Sequence, residues 1–111
     1  MTDVSTLDEL TDALRASYDS PVLLFKHSAT CPISSMAHHE IDMLTEASDP
    51  PVYRIVVQRA RQVSSACAEQ TGIRHESPQA LVVRDGEVVW HASHHSVRAA
   101  AIRAAAAPVQ P

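Results

Sequence analysis

The chain has 111 residues, 45% of them apolar and 20% charged, with a net charge of -4 and two cysteines. That length predicts a single domain over residues 1–111, with one core large enough to stand without staples. The acidic balance speaks against nucleic-acid binding, and no apolar run of about 18 residues is present to span a membrane.

The first residues, Met1 to Asp8, lack the basic and apolar regions of a secretion signal, so a cytoplasmic protein is expected. In that compartment the two cysteines, Cys31 and Cys67, read as free thiols rather than as a structural bridge.

Ser5-Thr6-Leu7-Asp8 resembles a capping box, with Asp8 where Glu or Gln is commoner. Leu7, Leu10 and Leu14 follow at helical spacing and predict a helix from about Thr6 to Ser17. After the turn Asp19-Ser20-Pro21, the apolar run from Val22 into His27 predicts a buried strand. Ile33, Met36, Ala37, Ile41 and Leu44 then predict a helix to about Ala47, ended by Pro50-Pro51.

Cys31 therefore lies at the turn from strand into helix. Pro32 suits the first helical turn, where its missing N–H costs nothing, and Thr30 or Cys31 is the expected N-cap. A helix N-terminus favours negative charge, so the position suits a thiolate. Ser34, one turn on, can point its hydroxyl back at the sulfur. The pattern C-P-I-S is a redox turn whose second cysteine has become serine. Such a turn cannot close its own disulfide, so a mixed disulfide on Cys31 needs another thiol to resolve it. A buried, inert cysteine beside a helix start is the alternative reading.

Val52 to Val57 predicts the second strand, parallel to the first through a right-handed crossover. Val63, Ala66, Cys67 and Gln70 predict a helix from about Arg61 to Thr71, with Gly72 as its C′ residue. Cys67 shares the predicted core face with Val63 and Ala66. Gln79 to Arg84 and Glu87 to Ala92 form a hairpin about the Asp85-Gly86 turn. An alanine-rich helix follows over about Val97 to Ala107, with Val97, Ala101, Ile102 and Ala105 inward. Helix, then β-α-β-α-β-β-α, describes an α/β thioredoxin-like fold: a mixed central sheet with helices on both faces.

Lys26-His27-Ser28 followed by Thr30-Cys31-Pro32-Ile33-Ser34 resembles the active-site signature of the bacillithiol-system YtxJ family, the monothiol bacilliredoxins. Val57-Gln58, Ala60-Arg61, Ser64, Ala68-Glu69, Gly72, His75-Glu76-Ser77-Pro78-Gln79, Gly86-Glu87-Val88 and Trp90-His91-Ala92-Ser93-His94 extend the resemblance from about Thr6 to Ile102. It implies thiol exchange in which Cys31 removes bacillithiol, a small thiol co-substrate, from client proteins, with no bound cofactor. The partners it implies are bacillithiolated clients, bacillithiol and, indirectly, a separate NADPH-linked disulfide reductase. It also implies that Thr30, Pro32, Ser77 and Pro78 bind substrate. Pro78 is cis in such folds, which would set Ser77 beside Cys31 with its backbone open to an extended client segment. Two departures stand out: His95 occupies a position that is commonly aromatic in the family, and Cys67 lies outside the signature.

Lys26 and His27, near the end of the strand that delivers Cys31, are candidates for tuning the thiolate. An exposed Cys67 would be a resolving thiol, making the protein a dithiol oxidoreductase. A binding or sensor module without turnover is the third reading. The paired histidines His38-His39 and His94-His95 lack metal-ligand spacing and read as solvated, so no metal is expected. The iron–sulfur use of a C-G-F-S turn is discounted because Pro32 and Ile33 replace its central residues. Arg61 reads as a solvated helix start and Trp90 as a core or sheet-face residue.

Overall fold

The computed structural model describes residues 1–108. Its strands are β1 (Thr2–Asp3), β2 (Val22–His27), β3 (Val52–Val56), β4 (Gln79–Arg84) and β5 (Glu87–Ser93). Its helices are α1 (Leu7–Ala16), α2 (Pro32–Asp42), α3 (Arg61–Thr71) and α4 (Ala99–Ala106), with a 3₁₀ turn over His94–Ser96. The sheet order is β1-β3-β2-β4-β5. β3 runs parallel to both β1 and β2, while β4 is antiparallel to β2 and β5.

Side chains alternate across a strand, so the central strands feed two core layers. Val22 and Leu24 of β2, with Leu81 and Val83 of β4, pack against Leu10 and Ala13 of α1 and Val63 and Cys67 of α3. Leu23 and Phe25, with Ala80 and Val82, pack against Ala37 and Ile41 of α2 and Ile102 of α4. The expected β-α-β-α-β-β-α order and helices on both faces are present.

Several local expectations shift. The first helix has its capping box one residue later, on Thr6 and Glu9: Thr6 Oγ1 accepts Glu9 N–H, and Glu9 Oε1 accepts Thr6 N–H. Helix α2 ends at Asp42 rather than Ala47; Thr45 N–H and the Asp49 carboxylate close a separate turn after it. The last helix begins at Ala99, because Ser93 to Val97 are taken up by the 3₁₀ turn and its caps. Strand β1 has no counterpart among the elements expected from the sequence. It adds to the edge at β3, and Arg54 on β3 pairs with the Asp3 carboxylate through Nε at 2.6 Å and Nη2 at 3.0 Å. Asp85 and Gly86 both take positive φ, 52° and 78°, as a tight hairpin turn requires.

Candidate active site

Strand register brings three segments to one end of the sheet. Lys26 is paired with Gln79 across β2 and β4, and Gln79 with Ser93 across β4 and β5. The turn after β2 (Ser28–Cys31), the loop before β4 (Gly72–Pro78) and the turn after β5 (His94–Ser96) therefore share that end. The Ser77–Pro78 bond is cis, and Pro78 O accepts His94 N–H at 3.0 Å. His94 has φ 54°, a left-handed conformation that most side chains avoid but His adopts more readily.

Cys31 is the N-cap of α2, with φ -98° and ψ 122°, and Pro32 opens the helix. Its side chain makes no capping hydrogen bond, and the residue is partly exposed. The turn that delivers it is pinned on two sides. Gln58, beyond β3, accepts Ala29 N–H at 3.1 Å and donates to Ser28 Oγ at 2.7 Å and Thr30 Oγ1 at 3.3 Å. Ser34 is fully buried, and its Oγ accepts Ser28 N–H at 3.1 Å. The expectation that Ser34 turns to the sulfur is thus corrected: it braces the turn, and among the described residues no hydrogen bond reaches Cys31 Sγ. Gln58 belongs to the site on this geometry; its only sequence signal was its place in the resemblance.

The tuning candidates separate to opposite faces. His27 lies on the α2 side, its ring 5.5 Å from Phe25 and 5.0 Å from His38. Burial, helped by His38 and Arg54, pulls its pKa below the ordinary 6.5. Its Nδ1 is buried and unpartnered. His38 is no solvated histidine. Arg54 Nη1 lies 3.0 Å from its Nε2 and Asp42 Oδ2 lies 3.0 Å from its Nδ1. Arg54 can only donate, so Nε2 accepts and the proton sits on Nδ1. A cleft of about 300 Å³ opens beside this chain, lined by His27, Ser35, His38, His39 and Asp42.

Lys26 faces the α3 side and is fully buried. Its Nζ donates to Ser64 O at 3.0 Å and lies 3.1 Å from His75 Nδ1. Burial pulls the Lys26 pKa down, opposed by Cys67. Cys67 is fully buried, and burial pushes its thiol up against the pull of Lys26. A resolving role for Cys67 required an exposed thiol and is corrected on this ground: the residue is sealed in the core between α1, α3 and the sheet. Ser77 Oγ and Gln79 Oε1, in the loop before β4 and at the start of β4, are buried without partners. Trp90 is partly buried against the α4-side core layer.

Among the described residues no group of three or more His, Cys, Asp or Glu is arranged to hold a metal ion, and no helix is long and apolar enough to cross a membrane.

The neutral histidines predict a pH dependence of stability. His27 and His75 both bind protons less readily in the fold than at the ordinary 6.5, chiefly through burial. Below about pH 6.5 the unfolded chain takes up protons that the fold refuses. Stability from these groups is therefore complete above that value and declines as pH falls toward the lowered folded values. Urea midpoints measured at pH 7.5 and 5.5 are expected to be lower at 5.5; a higher midpoint at 5.5 would contradict the lowered proton affinity of the two imidazoles.

The comparisons with known proteins agree with this geometry. Residues 2–102 match the family described as "Monothiol bacilliredoxin BrxC". A solved structure described as an oxidoreductase with a thioredoxin fold superposes with a TM-score of 0.85 at 31% identity, covering 94% of this chain and 91% of that one. Thioredoxins from Fasciola hepatica (TM-score 0.73, 11% identity, 94% of each chain) and Halobacterium salinarum (0.72, 23%, 98% of this chain and 93% of that one) share the fold.

Proposed function

From a chain that belongs to the monothiol bacilliredoxin family and has the thioredoxin fold of a thiol oxidoreductase, we propose a specific reaction: removal of bacillithiol from protein mixed disulfides. The Cys31 thiolate attacks the bacillithiol sulfur of the mixed disulfide, and the client cysteine leaves as a thiolate that takes up a proton. Cys31 now carries bacillithiol. The thiolate of a second bacillithiol attacks that sulfur, restores the Cys31 thiolate and leaves as bacillithiol disulfide. A separate NADPH-linked reductase returns the disulfide to thiols. Clients, bacillithiol and that reductase are the partners of this reading, no bound cofactor is needed, and the cytoplasm is its setting.

One observation carries the monothiol route. Cys31 is at the accessible N-cap of α2, Ser34 occupies the place of a second cysteine, and the only other thiol is sealed in the core. Thr30 and Pro32 flank the sulfur, with Gln58 and Ser34 bracing the turn. The helix N-terminus favours the thiolate. Ser77, the residue before Pro78, offers backbone for pairing with an extended client segment, while the Pro78 carbonyl is already taken by His94 N–H.

The test is the intact mass of the reduced protein after mixing with bacillithiol disulfide. One bacillithiol on Cys31, released by excess bacillithiol, is the expected result. A loss of two hydrogens would show a Cys31–Cys67 bridge and a dithiol enzyme. An unchanged mass would leave a binding module.

A further inference from the structure

Lys26 is the only fully buried charged side chain among the described residues, and no carboxylate pairs with it there. Its β2 neighbours on the same face, Val22 and Leu24, are part of the apolar layer under α1 and α3. Burying an ammonium without a counter-ion costs stability, and an apolar side chain of similar length would fill the space at less cost. The position is thus poor for stability alone, and its contacts show where the side chain is directed.

Those contacts converge on one loop. Lys26 Nζ donates to Ser64 O at 3.0 Å and reaches His75 Nδ1 at 3.1 Å; Ser64 Oγ lies 3.2 Å from the same nitrogen. Gln79 is the cross-strand partner of Lys26 and is also buried. Its Nε2 donates to Arg74 O at 2.9 Å. Two adjacent polar side chains at the sheet end therefore tie down two successive residues, Arg74 and His75. The next residues along the chain are Glu76, Ser77 and Pro78.

We propose that Lys26 is a positioning residue: through His75 it holds the Gly72–Pro78 loop in the shape that presents Ser77 and Pro78 to a protein client, and protonation of His75 releases that hold. The inference rests on the reading of Cys31 as a thiol that exchanges with protein mixed disulfides. His75 Nδ1 accepts from Lys26 only while unprotonated, so its proton sits on Nε2. Once Nδ1 is protonated it faces the Lys26 donor with a donor of its own, and two cations stand side by side. The groups facing His75 are Lys26 from β2, the uncharged Ser64 from α3 and Glu76 from its own loop; Cys67 of α3 lies behind Lys26. Glu76 favours the protonated form and so opposes Lys26.

The experiment compares two substrates at pH 7 and pH 5.5: bacillithiol linked to a reporter protein, and bacillithiol linked to a small chromogenic thiol. Lys26→Met is expected to raise KM for the protein substrate about tenfold more than KM for the small one, and to melt no lower than wild type. His75→Ala is expected to match it at both pH values. His75→Asn places an amide oxygen where Nδ1 was and cannot be protonated. It is expected to keep the wild-type KM at pH 7 and to lose the extra rise in protein KM that wild type shows at pH 5.5. An unchanged protein KM in Lys26→Met, or equal effects on both substrates, would overturn the inference. If Lys26→Met fails to fold, the two His75 variants decide by the same criterion. Wild-type protein inert toward both substrates would instead remove the Cys31 reading on which the inference stands.

Discussion

Cys31→Ser is expected to lower thiol exchange by about 10⁴-fold or more while leaving the fold intact or slightly more stable. The two effects have separate causes. A serine hydroxyl forms no disulfide, so the exchange has no covalent route. The backbone at Cys31, however, is already that of an N-cap, and its thiol makes no capping bond. Serine is among the best N-caps and supplies the missing acceptor, worth about 0.5–1 kcal/mol. Exchange assays and melting curves on one preparation separate the two. Cys67→Ala should show the reverse pattern, with exchange retained and stability reduced, because Cys67 packs in the core beside Val63 and Leu81. Exchange that survives in Cys31→Ser and disappears in Cys67→Ala would reverse the assignment.

The second large effect is on stability. Phe25→Ala is expected to cost about 3–5 kcal/mol, the range for emptying a buried aromatic site. Phe25 is fully buried between β2 and α2 and touches both imidazoles of that face, 5.5 Å from His27 and 5.8 Å from His38. The space has little freedom to collapse, because His38 is held by Arg54 and Asp42, and Arg54 in turn by Asp3. Set against a typical total of about 5–15 kcal/mol, the loss is severe and should lower Tm by at least about 12 °C. A urea midpoint shift corresponding to less than about 1 kcal/mol would show that Phe25 is not a keystone of this layer. Since α2 carries the Cys31 cap, exchange activity should fall with the folded fraction.

Much of this architecture can be read directly from the chain. The runs Val22–His27 and Gln79–Arg84 carry enough apolar residues to be strands in any reading, and Asp85-Gly86 requires the hairpin. Gly72 closes α3 at φ 73°, as its place in the sequence suggested. Strand β1 could not be foreseen, because two residues have no period. The early end of α2 is a local competition in which Asp49 captures Thr45 N–H. Lys26 is the instructive case. Its parity with Val22 and Leu24 already places it on their face of the sheet. Its partner His75 is 49 residues away, and no local pattern reports that contact. Ser34 was legible as a site residue, but not its partner: burial turns its hydroxyl to the backbone of Ser28.

The sealing of Cys67 has a consequence for survival under oxidants. A peroxide that reaches Cys31 converts it to a sulfenic acid. In a two-cysteine turn the neighbouring thiol would condense with that group at once and protect it. Here the neighbour is Ser34, and the other thiol is shut inside the core. Rescue must therefore arrive from solution as a small thiol. Where none arrives in time, a second and third oxidation yield sulfinic and sulfonic acids, which do not reverse under ordinary conditions. The working life of each molecule during oxidative attack is then a race between peroxide and the surrounding thiol pool, run at a single sulfur atom.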